Sequence, residues 1–336
     1  MTQKNIILVT GAAGFIAQRL IAGLKNRFDC EIRGIDIVPG PYPGCDVSEQ
    51  CDLSLELKKN PVLVQLMNGV DTLYNLAGKV HSLLEVKGDV EEYWRVNVTG
   101  SENVLNAAKQ GSVRKFVFFS TVKVFGEYQT VQGDRPLCEQ DEPSPDTPYG
   151  ETKLVFEKEL MRDCGSITPV ILRLSMVYGS GAKGNMAKLI HAVEKGIPIP
   201  LPEFGNKRSM IDVRDVVNGA ILAGTSDKAR GIYQLTDGHA YSTRQILEYV
   251  RESLGKKPGY IALPKFCFRL PALIGDGIGK LRGRRFFFDS DALNKIAGNA
   301  WFSSEKVRSE LGFETVWDLK SSLLEGRRQN QTSAKG

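Results

Sequence analysis

A glycine-rich turn between a buried strand and an amphipathic helix constrains this chain more than any other feature. Asn5–Thr10 reads as the strand, and Phe15–Lys25 as the helix, with apolar residues three and four apart. The turn joining them is Gly11-Ala12-Ala13-Gly14, with Ala17 three residues further on, so the spacing is GxxGxxA. Glycines there let the backbone turn tightly and let a pyrophosphate approach the free amides of a helix N-terminus. The loop residues expected to touch a dinucleotide are Gly11, Ala13, Gly14, Phe15 and Ile16.

The pattern then repeats. Glu31–Asp36, Thr72–Leu76, Lys115–Ser120 and Thr168–Leu174 read as strands. Helices are expected at Leu53–Met67, Trp94–Gln110 and Tyr149–Cys164. Strands alternating with helices predict an α/β fold, a doubly wound Rossmann-type parallel sheet whose ligand sits at the carboxyl ends of the strands. Beyond Tyr178 the pattern is less regular: a Gly-rich loop at Gly179–Gly184, a strand-like run at Arg208–Asp215, and helices at Thr243–Leu254 and Ser303–Leu311. The expected division is a dinucleotide domain over 1–174, with elements around 209–245 returning to it. A smaller mixed α/β substrate domain is expected over 175–326, and a flexible polar tail over 327–336.

Composition excludes several classes. At 336 residues, 42% apolar and 25% charged, this is an ordinary globular chain. A net charge of +5 without dense Lys/Arg blocks excludes a nucleic-acid binder. Six cysteines without a CxxC pair read as reduced thiols, and three histidines without HxxH or HExxH spacing give no metal site. No export signal precedes the first strand, and the apolar stretch Tyr260–Ile278 is broken by Pro264, Lys265, Arg269, Pro271 and Asp276. A cytoplasmic protein without a membrane span is expected.

Asp36 closes the second strand, where a carboxylate accepts hydrogen bonds from both hydroxyls of an adenosine ribose and repels a 2′-phosphate. NAD is thus the expected cofactor. Further along, Tyr149 and Lys153 stand four residues apart at a helix start, hence on one face. A free phenol, with a pKa near ~10, is a poor base at neutral pH. A neighbouring ammonium favours its ionised form. YxxxK by itself is common in plain amphipathic helices. Here it lies downstream of the glycine loop and of Ser120-Thr121, a strand-end hydroxyl pair. Hydroxyl, phenol and ammonium together can move a proton while hydride passes to or from a cofactor.

On these motifs the chain resembles the extended short-chain dehydrogenase/reductases, the UDP-glucose 4-epimerase-like NAD-dependent epimerase/dehydratase family. The resemblance runs from the glycine loop to Trp301–Phe313. It implies that Asp52 and Leu53 contact the adenine, that Leu76-Ala77-Gly78 forms the loop after the fourth strand, and that Asn97 belongs to the helix motif Asn97–Gly100. Phe119–Gly126 corresponds to the catalytic Ser/Thr motif, with Thr121 as the active hydroxyl. Tyr149 and Lys153 match the catalytic YxxxK, and Arg173–Gly179 matches R-x-x-x-V-Y-G. Lys79, Thr121, Tyr149, Asn185, Met186 and Arg208 then fall at substrate positions, Gly184–Met186 and Arg208 where the family holds the nucleotide diphosphate. Relatives of this kind are commonly dimers, so a homodimer is expected. The basic run Lys280, Arg282, Arg284, Arg285 reads as a solvated loop or as additional phosphate contacts.

Departures from the family pattern narrow the activity. Val122-Lys123 follows Thr121 where the 4,6-dehydratases carry Asp-Glu, so water elimination lacks its acid and base. Met176 replaces the asparagine usual in UDP-glucose epimerases. Lys79-Val80-His81, Lys123 with Gly126-Glu127, and Lys183-Gly184-Asn185 are similar to a surface-polysaccharide subgroup. The expected activity is NAD-dependent hydride exchange at C4 of a UDP-hexose or UDP-N-acetylhexosamine, as a 4-epimerase. Three alternatives stay open: a 4-keto-reductase of a UDP-N-acetyl-6-deoxyhexosamine, a hydroxysteroid or flavonol-type dehydrogenase, and a dinucleotide-sensing protein without catalysis.

Overall fold

The computed structural model describes residues 4–80, 89–127, 135–182, 184–199, 204–257, 266–282 and 289–333. His81, Lys183, Arg284 and Arg285 lie outside the described residues.

The chain opens with β1 (Asn5–Thr10), α1 (Phe15–Arg27), β2 (Cys30–Asp36) and β3 (Val47–Gln50). It continues with α2 (Pro61–Leu66), β4 (Val70–Asn75), α3 (Asp89–Tyr93), a π-helical stretch (Trp94–Thr99) and α4 (Gly100–Gln110). Next come β5 (Lys115–Thr121), α5 (Pro148–Arg162), β6 (Thr168–Leu174), β7 (Met176–Tyr178), α6 (Asn185–Glu194), β8 (Met210–Asp212), α7 (Val213–Thr225) and β9 (Gly231–Leu235). The last helices are α8 (Thr243–Ser253), α9 (Phe266–Arg282), α10 (Ser290–Ala297), α11 (Glu305–Leu311) and α12 (Leu319–Ser333).

Seven strands form one parallel sheet in the order β3-β2-β1-β4-β5-β6-β9, the doubly wound arrangement expected. Strand alternation gives each face its own core. Val9, Tyr74, Val117 and Leu172 pack with α1 and α7, while Leu8, Leu73, Phe116, Phe118 and Ile171 pack with α2, α4 and α5. The order reverses between β1 and β4, which puts the switch point of the doubly wound sheet at the carboxyl ends of these two strands. A third apolar cluster, including Tyr178, Met186, Met210, Tyr241, Ile246 and Leu319, unites β7, α6, β8, α8 and α12.

Three expectations change. The helix expected over Leu53–Met67 is a short 3-10 turn (Leu57–Lys59) followed by α2. Pro61 tolerates only the first helical turn, and Asn60 caps that start by accepting a hydrogen bond from the Leu63 amide at 3.4 Å. The strand-like run Arg208–Asp215 holds only the three residues of β8. Asp212 ends it by accepting from the Arg214 amide at 2.8 Å and capping α7. Residues 327–333, expected as tail, continue α12, and the Arg327 guanidinium donates to the Ser253 carbonyl at 2.8 Å.

Candidate active site

The glycine loop leaves β1 beside the loop that leaves β4. Gly11 has φ +67°, and a Cβ there would stand 2.8 Å from the Ala77 amide nitrogen, so the loops after the two strands touch. The Thr10 hydroxyl ties them by donating to Asn75 Oδ1 at 2.6 Å and accepting from the Ala77 amide at 3.0 Å. Gly14 enters α1 with no side-chain cap, leaving the first helical amides for an anion. Asp36 accepts from the Ala13 amide at 2.9 Å and from the Val38 amide at 3.0 Å. Each carboxylate oxygen keeps a further lone pair for a hydroxyl. Ile37 and Val38 beside it are 59% and 52% exposed, an apolar surface beside the carboxylate. A tight loop, uncapped amides, a strand-end carboxylate and exposed apolar surface fit a dinucleotide. Ile37 and Val38 were not singled out in the sequence, although two apolar residues directly after a strand-end acid are visible there.

The remaining cofactor candidates divide. Asp52 accepts from the Ser54 amide (2.9 Å) and hydroxyl (2.6 Å) and pairs with Arg95 at 3.4 Å. Burial alone would raise its carboxyl, but these partners hold it below the usual range. Leu53 is half-buried; its carbonyl accepts from Asn103 at 2.9 Å. Asn97 is fully buried and works as a clamp. Its Oδ1 accepts from the Lys79 amide at 2.8 Å, and its Nδ2 donates to the Lys79 carbonyl (3.1 Å) and the Thr152 hydroxyl (3.2 Å). It thereby fastens the Leu76–Lys79 loop to α5. Gly78 leaves room for this clamp: a Cβ there would stand 3.0 Å from Asn97 Oδ1 and 3.1 Å from Lys153 Nζ.

Thr121, Tyr149 and Lys153 come together at the end of β5. Pro148 occupies the first turn of α5, and the Thr147 hydroxyl caps it by accepting from the Gly150 amide at 3.2 Å. That cap fixes the start of α5, so Tyr149 and Lys153 share the face toward β5. The Thr121 hydroxyl stands beside the Tyr149 phenol, where its interaction favours phenolate, and it accepts from the Lys123 amide at 3.2 Å. Lys153 Nζ donates to the Phe119 carbonyl at 3.0 Å and lies 4.6 Å from the Phe118 ring centre. Burial pushes the Tyr149 phenol up to about 12, with the Thr121 bond opposing and nearby Tyr93 (ring centres 6.3 Å apart) adding to the rise. Burial pulls Lys153 down to about 8, opposed by the Glu157 carboxylate.

Ser120 belongs to a different network. It donates to Glu157, and Glu157 accepts from Arg173 Nη2 at 2.7 Å and Nε at 3.1 Å, with both residues essentially unexposed. Only Thr121 of the hydroxyl pair reaches the phenol. Glu157 completes a stripe with Tyr149 and Lys153 at four-residue spacing, visible in the sequence but passed over there.

The substrate-side candidates are dispersed. Lys79 pairs with Glu92 and stands 5.2 Å from the Tyr93 ring centre. Lys123 pairs with Glu127, and Glu127 draws on Arg208, whose guanidinium burial lowers in pKa. Arg208 is held by backbone bonds with Tyr241 at 2.9 Å each way. Asn185 opens α6, where Gly184 supplies no side-chain cap. Met186 instead packs into the third apolar cluster, leaving its backbone as the part that can face a ligand.

The model of the NAD dependent epimerase/dehydratase family matches residues 7–235. The chain belongs to this family. It is an NAD-dependent enzyme on the doubly wound fold. A UDP-glucose 4-epimerase of Vibrio cholerae is 28% identical over 96% of this chain and 93% of that protein. A 3 beta-hydroxysteroid dehydrogenase/Delta 5-->4-isomerase of Mycobacterium tuberculosis (strain CDC 1551 / Oshkosh) is 27% identical over 96% and 90%. Among solved structures, a UDP-N-acetylglucosamine 4-epimerase from Bacillus cereus has the same fold, with a TM-score of 0.75, 20% identity, and coverage of 98% of this chain and 97% of that one.

Proposed function

We propose that this enzyme exchanges hydride at C4 of a UDP-hexose or UDP-N-acetylhexosamine and acts as a 4-epimerase. One observation carries this choice over a steroid: the partly buried Arg208 guanidinium, which donates to the Gly298 carbonyl at 3.4 Å, lies in the field of Glu127, the partner of Lys123 two residues beyond Thr121. A partly buried guanidinium there suits a diphosphate and opposes an apolar ring system. The V. cholerae epimerase likeness points the same way.

Bound NAD supplies the hydride acceptor and donor. Tyr149 takes the proton from the C4 hydroxyl, with the Thr121 hydroxyl bonded to the phenol oxygen and positioned to share the substrate oxygen. Lys153, fixed on the Phe119 carbonyl one helical turn from Tyr149, is the ammonium that would hold the nicotinamide ribose and, with the cofactor's positive ring, favour the ionised phenol once NAD is bound. Arg208 and the first turn of α6 at Asn185 hold the diphosphate. Asp36 selects the unphosphorylated adenosine ribose. Inversion follows when the keto sugar turns over: hydride returns from the reduced cofactor to C4 on its other face, while Tyr149 gives the proton back to the C4 oxygen.

A thermal-shift panel tests the substrate class. UDP-glucose, UDP-N-acetylglucosamine and UDP are expected to raise Tm, and a 3β-hydroxysteroid to leave it unchanged. A shift with the steroid and none with any UDP ligand overturns the assignment.

A further inference from the structure

The Gly-rich loop after β7 reaches back to the cofactor turn at the start of α1. At its root Gly179 has φ +137°, and a Cβ there would stand 2.7 Å from Val213 Cγ1, so the chain passes close over the start of α7. The Ala182 amide donates to the Gly179 carbonyl at 3.1 Å, which closes a turn with Ser180 and Gly181 exposed at its tip. Arg19 of α1 clasps that tip. Its Nη2 donates to the Ser180 carbonyl at 2.5 Å and its Nη1 to the Phe15 carbonyl at 2.9 Å, and the guanidinium lies 4.1 Å from the centre of the Phe15 ring. Gly181, at φ +79°, allows the approach: a Cβ there would stand 3.4 Å from Arg19 Nη2 and 3.8 Å from Phe15 Cε2. One planar cation thus joins this loop to the first residue of α1, directly after the uncapped Gly14.

The charge at this joint points to its use. A guanidinium packed at the positive end of a helix dipole is repelled by it. α1 carries no acid in its first turn to offset the repulsion, and burial lowers the Arg19 pKa, opposed by the field of Asp212. Asp212 is itself already bonded to the Arg214 guanidinium at 2.8 Å and to the Ser322 hydroxyl at 2.5 Å. An anion at the start of α1 removes the conflict, and the pyrophosphate of NAD is the anion that this turn receives. We infer that Arg19 is a positioning residue for the cofactor, whose clasp on Ser180 and Gly181 tightens when NAD binds. Loop closure and NAD binding are then coupled, and by linkage the closed loop strengthens NAD binding by the same factor. The joint involves NAD alone, so it stands whichever substrate is turned over.

Hydrogen exchange at the amides of residues 180–182, read by mass spectrometry with and without saturating NAD, tests this. In the natural chain NAD is expected to slow exchange there about tenfold. Arg19→Met keeps the apolar stem but removes the charge and both donors. In that variant the slowing by NAD is expected to shrink to about twofold or less, and NAD to dissociate about tenfold faster in stopped-flow fluorescence. Arg19→Lys keeps the charge without the planar fork, and its NAD effect on the loop is expected to lie between the two. A merely structural role for Arg19 would speed exchange equally with and without NAD and leave their ratio as in the natural chain. That unchanged ratio in Arg19→Met, or no effect of NAD on these amides in the natural chain, overturns the inference.

Discussion

Each catalytic side chain is tuned by neighbours that never meet the substrate. Tyr149 sits at about 12 because its surroundings are dry, so in the free enzyme the phenol is protonated at neutral pH. Its activity as a base depends on positive charge placed beside it. Tyr149→Phe removes the proton acceptor while keeping the ring against Tyr93, so kcat is expected to fall about 10³-fold or more with Tm nearly unchanged. Steady-state kinetics and a melting curve check both parts. Glu157 acts one step back as a positioning residue. Its carboxylate raises the Lys153 pKa against the effect of burial, so Glu157→Gln lowers that pKa below about 8. The alkaline limb of log kcat against pH is then expected to move to lower pH, since Lys153 loses its charge sooner. A structural role alone would lower stability without moving the limb. Because the partner charge on Arg173 stays buried, the same variant is also expected to lose on the order of 3 kcal/mol of stability in a denaturant titration.

At the scale of elements, the glycine loop and the loop after β4 form one unit. Gly11→Ala places a Cβ 2.8 Å from the Ala77 backbone at a φ that L residues rarely adopt. The loops must separate, and NAD affinity measured by fluorescence titration is expected to fall about tenfold or more, with about 1–3 kcal/mol of stability lost as well. A second unit ties β7 to the segment before α8 through Asp237, which accepts from Tyr241 at 2.8 Å, Tyr178 at 3.3 Å and the His239 amide at 3.0 Å, while the Tyr241 hydroxyl accepts from the Leu319 amide of α12 at 3.1 Å. Burial pushes this carboxyl up to about 6, opposed by those donors. A raised carboxyl holds its proton longer in the folded state than in the unfolded chain. Its contribution is therefore complete below about pH 4 and is lost as pH rises through 6. The Tm difference between Asp237→Asn and the natural chain is expected to shift in favour of the variant between pH 4 and 7. A constant difference would contradict this.

For the whole molecule, the parallel sheet was legible because five of its strands are six or seven residues long and separated by periodic helices, while β3 and β9, of four and five residues, were not read as strands. The GxxGxxA turn, Asp36 and the Thr121, Tyr149, Lys153 spacing were legible because each is local, fixed by one turn or one helix face. β7 was hidden by its three-residue length, β8 was read at more than twice its length, and the Leu53–Met67 run suggested a helix that Pro61 shortens. Ser120 and Thr121 were told apart in the sequence only by the family motif, since the physical reason for their separation is Arg173 and Glu157 meeting across β6 and α5. Met186 looked available to substrate until tertiary packing placed its side chain among Tyr178 and Tyr241. Incubation of the purified enzyme and NAD with UDP-glucose and with UDP-N-acetylglucosamine, followed by proton NMR of the sugar ring, tests the central claim most directly. The account predicts appearance of the C4 epimer of at least one of them with no net consumption of NAD and none in Tyr149→Phe. Absence of any C4 epimer, or equal conversion by Tyr149→Phe, would contradict it.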